Sequence, residues 1–565
     1  MMTANRDHEV DVLVIGSGAG GMVAALVAHD GGAAAVVIEK SDLYGGSSAK
    51  SGGGLWIPNN HLMARAGIED SPDAAMDYLK AVTRGVEPEE RLQAFVRHAP
   101  ETLRYLAERT RFKPQCMPTY PDYYPQMPGW RGGGRGVEST YFDARPLGRE
   151  LLKMVTYEGT VMMGRYNVTL NDAHAMLGRE PGWMGATLGV FRKYWLDLPW
   201  RLRSPRSRDL SAGAALVASL RCSMMDRGIP LWLGTRAREL LCEGGRVVGV
   251  VAEQGGRALR IRAQRGVILA SGGFEANQAL RERYLPAPSV AAWTVGNAHN
   301  TGDALALGEA VGAQIDLMST CCWMPVSPVP GWKSPASILF ERTLPGGYIV
   351  NRRGERFVNE ALPYIDTVEG MYAHNRPDAP TIPSYLVCDA TFRKKYPFGP
   401  LLPSSVQPDW MVPKRLRAFM TKAGSLAELA QRLDIDAAGL EATAARVNRY
   451  ARTGVDLDFG RGDGAYERFY GDPAVRPNPT LGPIATPPFY AMPVYPGDLG
   501  TTGGLKTDVH ARVLAAGGEA IPGLYATGNC SASAIAGTYP GPGSTLGPAT
   551  TFGFLAARHA IGASG

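Results

Sequence analysis

Val10-Asp11-Val12-Leu13-Val14-Ile15-Gly16-Ser17-Gly18-Ala19-Gly20-Gly21 decides the fold. An apolar run long enough for a buried strand enters Gly16-x-Gly18-x-x-Gly21. A helical pattern follows from Met22 to Asp30, Gly31-Gly32 stops it, and a second apolar run, Ala33 to Ile38, ends in Glu39. Strand, glycine turn, helix, strand and terminal acid stand in the order that binds a dinucleotide. Gly16 permits the tight turn, Gly18 lets backbone approach a pyrophosphate, and Gly21 lets helix and sheet pack closely. The helix start offers Ser17, Ala19 and Gly20 N–H groups and a positive dipole end to phosphates. Glu39 stands where a carboxylate accepts from a ribose.

The rest of the chain bounds this reading. Its 565 residues suffice for two or three domains, with 45% apolar and 20% charged residues, as in a globular protein. A net charge of +6 and a pI near 8.8 are mild for this length and make no case for nucleic acid. The polar start, Met1 to Glu9, reads as no signal peptide. No run reaches the roughly 18 apolar residues of a membrane span. The seven cysteines form no C-x-x-C pair, and the nine histidines show no metal-ligand spacing. Both fit a cytoplasmic protein without a metal.

Beyond Glu39 and Lys40, the stretch Gly45-Gly46-Ser47-Ser48-Ala49-Lys50-Ser51-Gly52-Gly53-Gly54-Leu55-Trp56 has small residues that line a flat ligand with N–H and hydroxyl groups. Its apolar end anchors it as a binding loop. Ser71-Pro72 caps a helical region that runs to Arg109. Arg246 to Glu253 and Ala258 to Ala263 alternate as two strands about a Gln254-Gly255-Gly256 turn. A further buried strand, Gly266 to Ala270, runs into Ser271-Gly272, and Asn300 to Asp303 is a polar cap on a helix over Ala304 to Gly312. Gly346 to Glu360 reads as strand, turn and strand. A C-terminal strand ends in Gly528-Asn529, and Thr545-Leu546 opens a last helix to about His559. With Arg236 these complete the candidate cofactor contacts.

Nucleotide-style elements thus occur at both ends of the chain. The fold expected is α/β: a Rossmann-like domain from residues 1–280 and 484–565, interrupted by an α+β catalytic domain at 281–483. So long a cradle suits FAD better than NAD. The last helix aims its positive end at the flavin pyrimidine. No arginine, histidine or carboxylate occurs between Ala532 and Phe554, which argues for an apolar substrate with one polar handle. The Gly543 N–H and the Tyr539 phenol can donate to one carbonyl oxygen as an oxyanion hole does. A tyrosine then needs neighbouring phenols to act as a base.

Phe191 to Arg208 carries six cations against one acid, interleaved with Tyr194, Trp195 and Trp200. Two readings stay open for it: a solvated basic face, or a peripheral membrane contact.

Gly16 to Glu39, the Gly45 to Pro58 loop, Pro121-Asp122-Tyr123-Tyr124, Gly354 to Glu360 with Pro363-Tyr364, Gly500 to Leu505, and Tyr539 to Gly543 together resemble the flavin-dependent 3-ketosteroid Δ1-dehydrogenases. These belong to the fumarate reductase/succinate dehydrogenase flavoprotein superfamily. The resemblance spans nearly the whole chain, with about 146–209 as an insertion. It implies that Tyr539 and the Gly543 amide hold the C3 carbonyl and that Tyr364 takes a proton from C2. Tyr123 assists Tyr364, and the flavin N5 accepts hydride from C1. Substrates such as 4-androstene-3,17-dione and an external electron acceptor follow. The glycine loop lacks the histidine of covalently flavinylated relatives, so FAD is expected to be non-covalent. Two rivals share the fold: a 3-keto-5α-steroid Δ4-dehydrogenase and a fumarate reductase-like enzyme.

Overall fold

Four parallel strands end in line in the computed structural model, which describes residues 6–563 apart from 158, 160, 163–164, 178–181 and 205. Strand Arg6–Ile15 lies between Ala35–Ile38 and Arg257–Leu269, and Ala520–Ala526 pairs with the far end of Arg257–Leu269. The register sets Ile15 opposite Ile38 and Leu269, and Leu269 opposite Ala526. Gly16, Glu39, Ala270 and Thr527 therefore leave the sheet at one edge, where open α/β sheets bind ligands. Leu231–Trp232 extends the sheet on one side, and Thr235–Glu243 and Arg246–Gln254 extend it on the other.

The first helix runs over Ala19–Asp30, three residues earlier than the apolar pattern indicates. Glycines do not delay it, because Met22 N–H already bonds the Gly18 carbonyl at 3.0 Å. Its residues Ala19 to Ala28 are all buried, and the last helix, Leu546–Ala560, lies against it. A Cβ on Gly20 would stand 2.7 Å from the Ala549 carbonyl oxygen. Gly20 therefore serves helix packing. Ser71 caps Pro72–Thr83 as read, its hydroxyl accepting from Ala74 N–H at 3.1 Å.

Three readings are corrected. Ala258 to Ala263 and Gly266 to Ala270 are one strand, Arg257–Leu269. It runs antiparallel to Arg246–Gln254 first and parallel to Arg6–Ile15 throughout, across a bulge at Val10/Val12. The helix after Asn300 spans Asp303–Glu309, and its cap is Gly302 at φ 80° without a side-chain bond. After strand Tyr348–Val350 the chain does not form a second strand. Arg356 is instead drawn inward to Glu360 and Asp456, both at 2.8 Å.

A second sheet carries Ala336–Ser337, Cys321–Ser327, Phe489–Thr501, Ser384–Cys388 and Tyr348–Val350 in that order, with Thr421–Ala423 on Phe489–Thr501. Phe489–Thr501 lies beyond the boundary read at 483, yet its ladder partners are all in this sheet. The buried pair Arg281–Asp498, 2.6 Å, fastens the sheet to the helix Gln278–Tyr284.

The basic segment forms helices Trp183–Leu196 and Leu198–Arg201, neither with a buried residue. Trp200 and Tyr194 turn inward: the Trp200 indole donates to the Arg206 carbonyl at 2.9 Å, and Tyr194 packs on Tyr166. Outward stand Met184, Leu188, Trp195, Leu196, Leu198 and Leu202, the last 91% exposed. Among the described residues no helix is long and apolar enough to cross a membrane.

Gly16 has φ +110°, and a Cβ there would lie 2.3 Å from the Ala270 carbonyl oxygen. Gly16→Ala is expected to cost about 2–4 kcal/mol from strain and overlap. Urea melts check it; an unchanged midpoint would mean that the turn tolerates a side chain.

Candidate active site

The loop after strand Leu55–Trp56 is fixed by Trp56. Its indole N–H donates to Asp122 at 2.8 Å, and its backbone N–H donates to the Gly543 carbonyl at 3.1 Å. Asp122 also accepts from Arg135 at 2.8 Å, and Arg135 reaches Asp70 at 2.7 Å. All three charged groups are buried, an arrangement that is stable only when the donors are matched. The Pro540 carbonyl accepts from the Tyr78 hydroxyl at 2.7 Å and from Tyr123 N–H at 2.9 Å. The loops bearing Tyr123 and Tyr539 are thereby joined.

Tyr364 opens helix Tyr364–Ala373 directly after Pro363. The loop before it is anchored by Glu360, which Arg356 grips at 2.8 Å through two nitrogens and Arg461 reaches at 3.1 Å.

These supports bring Tyr123, Tyr364 and Tyr539 together. The Tyr364 and Tyr539 rings meet edge-on at 5.3 Å, and Tyr123 stacks on Tyr539 at 5.6 Å. The Tyr123 hydroxyl donates to the Tyr364 oxygen at 3.5 Å. All three are buried. Burial pushes the Tyr364 phenol well above its ordinary range, and the Tyr123 hydroxyl pulls it back. Burial likewise raises Tyr123 and Tyr539. Gly543 has φ +94°, and a Cβ would lie 2.3 Å from the Gly54 carbonyl, so only glycine fits. Its N–H has no partner among the described residues. A phenol donor and a free amide beside a second phenol can polarise a ketone and remove its α-proton.

The candidate cofactor residues line the sheet edge. Glu39 accepts from Ser17 N–H at 3.1 Å, from the Ser17 hydroxyl at 2.7 Å and from Ser41 N–H at 3.0 Å. Ser48 accepts from Ala19 N–H at 3.0 Å, and the Ser17 hydroxyl accepts from Gly45 N–H at 3.0 Å. Asn300 reaches Ser47 at 3.1 Å, while Lys40 and Arg236 share Asp303 at 2.7 and 3.1 Å. Gly528, Asn529, Ser544, Thr545 and Ala549 border a shallow cleft. Gly21 and Gly53 serve packing, since a Cβ on either would meet backbone within 2.4 Å. The Ser271 hydroxyl is buried without a partner at the strand end. Backbone amides, hydroxyls, two cations and a carboxylate along one edge fit FAD, with its pyrophosphate, ribose and ring polar atoms.

Comparison with known proteins agrees. The FAD binding domain family matches residues 11–546. The 3-oxosteroid 1-dehydrogenase of Mycobacterium tuberculosis is 42% identical over 98% of each chain. The chain belongs to the 3-oxosteroid 1-dehydrogenase family. A crystal structure of 3-ketosteroid Δ1-dehydrogenase from Sterolibacterium denitrificans, in complex with 1,4-androstadiene-3,17-dione, is 45% identical. Its TM-score is 0.94 over 99% of this chain and 100% of that one. The 3-ketosteroid Δ4-(5α)-dehydrogenase of Rhodococcus jostii shares the fold, with 20% identity and a TM-score of 0.64 over 99% and 98% of the chains. Family membership carries FAD as the cofactor.

Sequence reasoning missed two of the outer phenols, Tyr466 and Tyr470. Tyr120 lies 3.3 Å from Tyr123 through the hydroxyls, Tyr470 bonds Tyr120, and the Tyr466 ring stands 4.6 Å from Tyr123. Tyr466 and Tyr470 are four apart on and just beyond a short helix, a spacing that marks a shared face. Glu275 was missed too. Burial and the Asp498 charge push it up to about 7, while Asn300 donates to it at 2.6 Å. Such a carboxyl binds more protons folded than unfolded between about 4.5 and 7, so its contribution falls as pH rises through that window. Glu275→Gln is expected to gain up to ~3 kcal/mol relative to wild type on going from pH 4.5 to 8. Parallel stability–pH curves for the two proteins would contradict it.

Proposed function

We propose that this protein introduces the 1,2 double bond into ring A of 3-ketosteroids, as an FAD-dependent 3-oxosteroid 1-dehydrogenase. The observation that carries it is the meeting of Tyr123, Tyr364 and Tyr539, with the Gly543 amide, unpartnered among the described residues, four residues beyond Tyr539. Tyr539 and the Gly543 N–H donate to the C3 carbonyl oxygen and stabilise the charge that develops there as C2 is deprotonated. Tyr364 receives the C2 proton, and Tyr123 hydrogen-bonds the Tyr364 oxygen and favours its ionised form. The close, buried packing of the phenols excludes water and strengthens each of these interactions. When bound, FAD supplies the two-electron acceptor for the hydrogen leaving C1. Gly16, Ser17 and Gly18 with the helix start would hold its pyrophosphate, and Glu39 its ribose. Lys40, Ser47, Ser48, Arg236, Asn300 and Asp303 would line the edge that continues from there. Gly45 to Gly54, Ala270 to Gly272, Gly528, Asn529, Thr545 and Leu546 would line the rest of the cradle. No histidine in the Gly45 to Gly54 loop offers a covalent link.

The FAD domain is then discontinuous, with the second sheet as the inserted catalytic domain. A separate acceptor reoxidises the flavin. The exposed leucines and Trp195 beside Arg192, Lys193 and Arg203 suit contact with an anionic membrane surface from the aqueous side.

Anaerobic mixing with 4-androstene-3,17-dione should bleach the flavin band, and product NMR should place the new bond at C1–C2. A Δ4 product from a 5α substrate would favour the rival reading. Tyr364→Phe is expected to keep flavin and lose about 10³-fold or more in kcat. Tyr539→Phe should lower kcat about 10²-fold and raise KM. A near-normal Tyr364→Phe rate would remove Tyr364 as the base. On vesicles with anionic lipid the protein should sediment, and a Leu188→Asp/Leu196→Asp/Leu202→Asp variant should stay in solution. No sedimentation of the parent protein ends the membrane reading.

A further inference from the structure

Arg342 is fully buried behind the tyrosine cluster. Its Nη1 donates to the Leu362 carbonyl at 2.6 Å, to the Thr367 hydroxyl at 3.1 Å and to the Glu360 carbonyl. It thus spans the turn that launches the Tyr364 helix. Its Nε and Nη2 are buried and reach no carboxylate or carbonyl among the described residues. Arg135, Arg281, Arg393 and Arg461 are as deeply buried. Each of these faces a carboxylate: Asp70 at 2.7 Å, Asp498 at 2.6 Å, Asp409 at 3.8 Å and Glu360 at 3.1 Å. Arg342 has no ion-pair partner among the described residues. A buried cation lacking a counter-charge is expensive to keep, which points to a counter-charge that arises only during function.

Phenols surround it. The Tyr466 hydroxyl lies against the guanidinium, which is its polar neighbour. Burial raises Tyr120, Tyr466 and Tyr470, and the Arg342 charge opposes that rise in all three. Their hydroxyls continue the catalytic pair: Tyr364 to Tyr123 at 3.5 Å, Tyr123 to Tyr120 at 3.3 Å, and Tyr120 to Tyr470 in direct hydrogen bond. Other titratable groups face this chain. Tyr539 and Cys322 stand beside Tyr364, and His174 is edge-on to Tyr470 at 6.2 Å. Glu341 and Asp366 feel Arg342, and Tyr124 donates to Asp366 at 3.4 Å.

We propose that Arg342 is the counter-ion of this tyrosine chain, a positioning residue that holds at the Tyr120–Tyr470 end the negative charge that readies Tyr364 to accept a proton. The inference rests on the reading of Tyr364 as the base. In the ready state the chain is one proton short. The C2–H bond breaks, its electron pair enters the enolate held by Tyr539 and the Gly543 amide, and the proton bonds to the Tyr364 oxygen. Proton shifts through Tyr123 and Tyr120 neutralise the charge beside Arg342. The chain returns one proton to water before the next turnover.

The test is the pH profile of kcat/KM for the flavin-loaded enzyme as wild type, Arg342→Gln, Arg342→Lys and Thr367→Val. The acidic limb reports loss of a proton from the chain. It should move up by about one pH unit or more in Arg342→Gln. It should stay in place in Arg342→Lys, which keeps the charge, and in Thr367→Val, which keeps the guanidinium and removes the Thr367 hydroxyl's bonds to it and to the Pro363 carbonyl. A rate loss in Arg342→Gln that is equal at all pH values overturns the proposal, because Arg342 would then only brace the turn. If Arg342→Gln does not accumulate folded, Arg342→Lys decides: an unmoved limb supports the proposal and a shift of about one unit overturns it. Tyr364→Phe separates the two readings. Near-normal turnover there removes the base itself, whereas an inert Tyr364→Phe with an unmoved Arg342→Gln limb removes only the role of Arg342.

Discussion

The hydrogen bonds of the Pro540 carbonyl and the Asp122 carboxylate hold three loops in one place. Asp122 takes the Trp56 indole and the Arg135 guanidinium, and Pro540 takes the Tyr78 hydroxyl and the Tyr123 amide. Trp56 in turn bonds the Gly543 carbonyl. The binding loop of residues 45–58, the tyrosine loop of 120–124 and the glycine turn of 539–543 come from distant parts of the chain. Without these few bonds nothing would keep Tyr123, Tyr539 and the Gly543 amide at working distance. Being buried, the bonds are strong when complete and costly when one partner is lost.

That constraint explains how a site built of weak acids can move a proton. A phenol in water is a poor base, and burial makes its anion harder to form. The structure answers with shared hydrogen bonds along a row of tyrosines and with a buried guanidinium at the far end that has no ion-pair partner among the described residues. The carbonyl end is neutral: a phenol and a peptide amide. An apolar ketone can enter such a site without stripping water from a charged clamp.

The nucleotide half was legible because its glycines are backbone requirements. Gly16 cannot bear a side chain, and the strand–turn–helix order is local. The tyrosines that the motifs named, Tyr123, Tyr364 and Tyr539, do converge. What escaped were residues whose role depends on distant packing. Tyr466, Tyr470 and Arg342 lie in stretches with no motif, and only the fold sets them against Tyr120 and Tyr364. The missing strand after Gly354 has a similar cause. Arg356 reads as a polar strand residue, but its buried pairing with Glu360 and Asp456 overrides local propensity. The strand Phe489–Thr501 joined the second sheet because its ladder partners, invisible in its own sequence, lie up to some 180 residues earlier.

The most direct measurement uses enzyme whose flavin is held reduced, so that ring oxidation is blocked while enolisation at C2 stays open. Incubation with 4-androstene-3,17-dione in D2O, followed by NMR, reads deuterium entry at C2. Wild type should exchange C2 hydrogen far faster than buffer alone, and Tyr364→Phe should fall to the buffer rate. Equal exchange by the two proteins would contradict proton removal by Tyr364, and with it the chemistry assigned to the phenol cluster.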